Sequence, residues 1–130
     1  MLGSFLGSLA LGLVKGLTSK NGAQGFSSEH DIYGPIREEL MYRGAPLWAA
    51  PGLPFGATAV NFAVDHVLSD ARHGQMSASQ VVARFGDVLL GGLAYESAMR
   101  SNGIVGAIVN HATHNFSVGL GSRLRNRKKP

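Results

Sequence analysis

The sequence predicts an all-α protein: a compact multi-helix bundle with a separate N-terminal amphipathic helix. Three observations carry that expectation. Apolar residues fall at helical spacing near the start of the chain and again between Ala57 and Arg72. Start and stop signals divide the chain between helices: Pro35 opens one, Pro46, Pro51 and Pro54 with Gly52 and Gly56 end it, and Ser77 or Ser79 can cap another. Finally, Ser101 to Ser122 contains no Asp, Glu, Lys or Arg, which makes it the one segment with the uncharged length for a membrane crossing.

A chain of 130 residues suits one domain whose core is stable without staples. Cysteine is absent, which excludes disulfides, thiolate catalysis and sulfur-ligated zinc, so any chemistry rests on Glu, His, Asn, Ser or Thr. The composition is rich in Gly, Ala, Leu and Val and only marginally positive in mean hydropathy. That is too apolar for a disordered chain and lean for a protein that crosses a membrane many times.

Taken in order, residues 1–20 form the apolar helix, with Leu2, Phe5, Leu6, Leu9, Leu13 and Leu17 near helical spacing and Ser4, Gly7, Ser8, Lys15 and Gly16 on other faces. The first charge, Lys15, follows the apolar run, which is the reverse of a cleaved export signal. Such a helix lies on a membrane surface or packs on a partner or on the body of the protein, and both readings stand. Residues 21–28 are a linker by composition, 29–122 the bundle, and 123–130 a basic tail. The tail's Arg123, Arg125, Arg127, Lys128 and Lys129 after an apolar helix favour anionic lipid, on the cytoplasmic side, over nucleic acid.

Within the bundle, Glu38 and Glu39 sit on the first turns of the helix opened by Pro35, with Arg43 at i+4 from Glu39. Taken alone, that pair reads as a surface ion pair. Phe62 stands one turn before His66, and a single His on a largely apolar helix is usually a hydrogen-bonded core residue. His30 and His73 read as solvated. Gly91 and Gly92 permit close helix approach. His111 and Asn115 share one face of the last helix, while His114 points elsewhere.

Three ordered segments, Glu38-Glu39-x-x-x-Arg43, Phe62-x-x-x-His66 and His111-x-x-x-Asn115, resemble the motifs of the CAAX prenyl protease and bacteriocin-processing family of intramembrane endopeptidases. The text between them, from Phe85 to Tyr95 and from Ser101 to His111, resembles the family's glycine-containing helix, tight turn and final helix, so the likeness spans about 36–118. It implies an all-helical fold and hydrolysis of a peptide bond near a membrane. Glu38 would be the base that activates water, His66 would assist it, and His111 and Asn115 would orient the water or stabilise the oxyanion. Glu39 and Arg43, with Phe62, would support the site. An apolar bundle should raise the proton affinity of Glu38 for that work.

Glu38, His66 and His111 are also a set from which a catalytic zinc takes its three protein ligands, and the sequence does not choose between a metal-free and a zinc-dependent hydrolase. The implied partners are a peptide or protein substrate, anionic membrane lipid and a second copy of the chain. Beside the endopeptidase stands a reading of another class, in which the chain is a non-catalytic, membrane-active structural or assembly protein, for example one packaged in and delivered by a particle, that keeps the bundle.

Overall fold

The computed structural model describes residues 2–18 and 27–127, and all its regular structure is helical. Helix α1 is Leu2–Thr18. Helix α2 covers 29–49 and includes two wide turns, Glu29–Tyr33 and Leu40–Gly44, each closed by an amide bonding five residues back: Gly34 to Glu29 and Ala45 to Leu40. Helix α3 is Ala57–His73. The long stretch Ala78–Asn126 is divided at Gly103 (φ 70°, ψ −173°) into α4, 78–102, and α5, 104–126. Most of the expected linker and the end of the basic tail lie outside the described residues; Arg123 and Arg125 sit in the last turn of α5.

Local chemistry accounts for these boundaries. Ser77 and Gln80 form a reciprocal capping box at the start of α4, each side chain bonding the other's backbone amide. Gly103 takes a φ and ψ that only glycine reaches without strain. A Cβ there would meet no other atom within 4 Å, so Gly103→Ala should cost about 1–3 kcal/mol from backbone strain alone. Chemical denaturation of the variant checks this, with an unchanged midpoint as the contrary result.

The N-terminus of α3 is capped from another helix. Glu96 on α4 is fully buried and accepts from the amides of Gly56 (3.1 Å) and Ala59 (3.2 Å) and from the Thr58 hydroxyl (2.6 Å). Arg100 braces the same carboxylate and also donates to the Leu53 carbonyl. Close packing of α3 on α4 depends on Gly92, where a Cβ would lie 3.1 Å from the Ala59 Cβ. The expected close approach thus belongs to Gly92, whereas a Cβ on Gly91 would meet the Tyr95 ring only at ordinary contact distance, 3.6 Å.

The interior holds polar and charged side chains beside the apolar ones. Arg43, Glu39 and Glu96 are among the largest fully buried side chains, and the apolar core consists of two small clusters, one around Phe62, Ala63, Val88 and Tyr95, the other around Leu47, Met99 and Ala107. The Glu39–Arg43 pair is therefore no surface ion pair: neither side chain has any exposure.

Helix α1 lies along α5 and turns a stripe of small residues inward. Ser8, Gly12 and Gly16 are buried, and a Cβ on Gly16 would fall 2.1 Å from the Val118 carbonyl oxygen. Ser8 donates to Asn110 (2.9 Å) and Ser122 to the Gly16 carbonyl (3.3 Å). Leu6, Leu11, Val14 and Leu17 face outward, as do Val109, Phe116, Leu120 and Leu124 of α5.

No helix among the described residues is long and apolar enough to cross a membrane. The crossing expected of 101–122 is not carried, because Gly103 interrupts the helix and Asn110, His111, Ser117 and Ser122 occupy its inner face.

Candidate functional site

A cavity of about 610 Å³ opens among α1, α2, α3, α4 and α5, and its lining includes Glu38, Phe62, His66, His111 and Asn115. Three segments far apart in sequence are thus gathered into one place. Glu38 comes from the middle of α2, His66 from α3, and His111 and Asn115 from α5.

Glu38 lies between two imidazoles. Its Oε2 is 3.6 Å from His66 Nε2 and 3.7 Å from His111 Nε2. These separations are too long for direct hydrogen bonds and suit charge pairing or a bridging water. Each ring is held by its other nitrogen. His66 Nδ1 lies 2.9 Å from the Phe62 carbonyl one turn back, and His111 Nδ1 lies 2.8 Å from Glu39 Oε1.

Proton affinity at Glu38 departs from expectation. Burial pushes its pKa up, but His66 first and His111 next more than offset that, so the carboxyl sits below its ordinary value instead of above it. Glu38 raises His66 in return, against the opposing effect of burial. The carboxylate is thus ionised at neutral pH, the protonation state a base requires, at some cost in basicity.

The supporting residues form a stacked core beneath the site. The Arg43 guanidinium lies over the rings of Phe62 (4.6 Å) and Tyr95 (5.2 Å), donates to Glu39 Oε1 at 2.8 Å and reaches the Gly92 carbonyl at 3.3 Å. Phe62 packs against His66 with ring centroids 4.1 Å apart and meets His111 edge-on at 6.0 Å. Tyr42 meets Phe62 edge-on and donates to Asp65; its phenol is pushed up to about 12 by burial and then by that carboxylate.

Asn115 lines the cavity, but one of its amide protons is taken by the His30 carbonyl, 3.1 Å away. The other remains for a ligand. His30, expected to be solvated, is half exposed and also lines the cavity, its ring anchored 3.0 Å from the buried Asp31 carboxylate. His73 is exposed, as expected.

Sequence reasoning missed several cavity residues. Tyr95 stacks on His111 at 4.4 Å and 13°, and its placement one turn after Gly91 was the signal available. Lys15 reaches in from α1 to pair with Asp87 at 2.6 Å, which only the docking of α1 reveals. Asp87 also pairs with Arg84, and Arg84 with Asp70.

His114 also lines the cavity, held down to about 4 by burial, then by Lys15 and His111. A folded-state value below the ordinary 6.5 means that the unfolded chain binds the proton more readily. The neutral imidazole therefore contributes stability that is present above pH 6.5 and is lost as the pH falls towards 4. His114→Gln should flatten the stability profile across that window, as thermal unfolding against pH would show; a profile identical to the parent's is the contrary result.

Comparison of the chain with protein-family models, curated proteins and solved structures finds no match.

The metal set expected from Glu38, His66 and His111 does not fit. Among the described residues, no group of three or more His, Asp or Glu is arranged to hold a metal ion. Glu38 separates the two histidines as a charge partner, so no chemical step is routed through a metal.

Proposed function

We propose that the protein is a membrane-associated endopeptidase of the kind its three motifs resemble, one that hydrolyses a peptide bond with a water activated by Glu38. The observation that carries the reading is the ionised Glu38 carboxylate set between His66 Nε2 and His111 Nε2 on the wall of a large cavity. In the reaction, water oxygen attacks the scissile carbonyl while Glu38 takes a water proton. The tetrahedral intermediate collapses with cleavage of the carbon–nitrogen bond, and Glu38 returns that proton to the leaving amine. The second amide proton of Asn115 is the oxyanion donor, and His66, its proton affinity raised by Glu38, stands beside the base.

The membrane half of the reading is supported by the outward apolar faces of α1 and α5, whose small and polar residues point inward. This sidedness suits contact with lipid better than contact with water. The basic C-terminal end would then lie against anionic headgroups on the cytoplasmic side.

The test is endoproteolysis of a mixed peptide pool by protein bound to anionic vesicles, with products identified by mass spectrometry. Internal cleavage that persists with a metal chelator present is the expected result. Intact peptides throughout would refute the endopeptidase and leave the non-catalytic membrane protein as the better reading.

A further inference from the structure

His111 poses a chemical question, because its two ring nitrogens face two different carboxylates. Nδ1 lies 2.8 Å from Glu39 Oε1, a hydrogen-bond distance, whereas Nε2 lies 3.7 Å from Glu38 Oε2, beyond one. Ionised carboxylates only accept, so the closer contact requires the proton on Nδ1. Glu39 is itself immobilised: it has no exposure, and the same oxygen accepts from Arg43 Nη1 at 2.8 Å. The ring has little freedom to turn over. Tyr95 stacks on it nearly parallel at 4.4 Å, and Phe62 closes its edge at 6.0 Å.

We infer that Glu39 is a positioning residue that fixes His111 as its Nδ1–H tautomer, so that Nε2 faces the cavity as a hydrogen-bond acceptor. The inference deepens the endopeptidase reading and rests on it for its catalytic consequence. A neutral imidazole without a proton on Nε2 has nothing to donate to an oxyanion. His111 therefore serves the other half of the reaction: Nε2 and Glu38 Oε2 are two acceptors flanking one space, and a water there directs one proton to each. Its oxygen lone pair is then turned towards the substrate carbonyl. Glu38 still takes the proton, and His111 holds the nucleophile's orientation. Arg43 acts one step further out, holding Glu39 in register through its 2.8 Å hydrogen bond. Oxyanion stabilisation is left to Asn115, whose second amide proton faces the same cavity.

The experiment reads the tautomer directly. Protein labelled with ¹⁵N in histidine gives long-range proton–nitrogen correlations that separate a protonated ring nitrogen from a bare one, and His111→Gln assigns the signal. The expected result for the parent at neutral pH is a protonated Nδ1 and a bare Nε2. A proton on Nε2, whether Nδ1 is bare or also protonated, overturns the inference. Glu39→Gln should lose that single tautomer and lower kcat about ten- to a hundredfold with KM little changed, the size typical of a group that orients a histidine from behind. If Glu39→Gln keeps both the tautomer and kcat, Glu39 is not the positioning residue. The correlation in the parent needs neither the variant nor turnover. A parent with the expected tautomer that cleaves no peptide therefore refutes the endopeptidase and leaves the Glu39–His111 assignment in place.

Discussion

Glu38→Gln should lower peptide hydrolysis by about a hundred- to ten-thousandfold while leaving the fold intact. The substitution preserves size and removes the acceptor that takes the water proton. Glu38 is partly exposed, with 28% of its side chain accessible, and its contacts with His66 and His111 are beyond hydrogen-bond length, so little packing changes. His66 reports the loss independently of turnover. Its proton affinity is raised above the ordinary value mainly by Glu38, so in the variant it should titrate lower. Turnover at the parent's rate would remove Glu38 from the chemistry; a collapsed unfolding transition would mean that the carboxylate is structural.

Arg43→Met should produce the largest loss of stability, about 3–5 kcal/mol, because it leaves the Glu39 carboxylate buried without its cation. Glu39 and Arg43 both have zero exposure, and the guanidinium also fills the space between Phe62 and Tyr95. Against a total stability of about 5–15 kcal/mol for a domain, that loss brings the chain close to unfolding. Replacing both partners, Glu39→Leu with Arg43→Met, should recover much of it, since no uncompensated charge remains. His111 Nδ1 would still lack its acceptor, so the recovered fold should remain slow in hydrolysis. Urea denaturation of the three proteins checks the order. If the single variant is as stable as the parent, the buried pair is not what holds α2 against α4.

The fold was legible because its determinants are local. Ser77 marks a helix start, Gly103 divides one helix from the next, and Pro51 and Pro54 lie just past the end of α2, although Pro46, also expected to stop it, is carried inside the helix. The candidate site was legible as three ordered motifs, and Glu38, Phe62, His66, His111 and Asn115 do share a cavity. Its energetics were not. An i, i+4 Glu–Arg pair looks the same in sequence whether it lies on a surface or, as Glu39 and Arg43 do, in a core. Glu38 was expected to gain proton affinity from apolar surroundings, yet its nearest neighbours are two imidazoles brought in from α3 and α5.

Helix α1 shows the division most clearly. By itself the sequence determined that residues 2–18 are helical and two-faced, because side-chain spacing decides both. Which face turns inward was decided only by tertiary structure: the backbone of α1 approaches α5 closely only where Gly12 and Gly16 carry no side chain. That approach buries the small face, leaves Leu6, Val14 and Leu17 outside and delivers Lys15 to Asp87. Tertiary structure likewise decided the contacts at the site, since which nitrogen of His111 meets Glu39 depends on a contact between residues 72 positions apart in the chain.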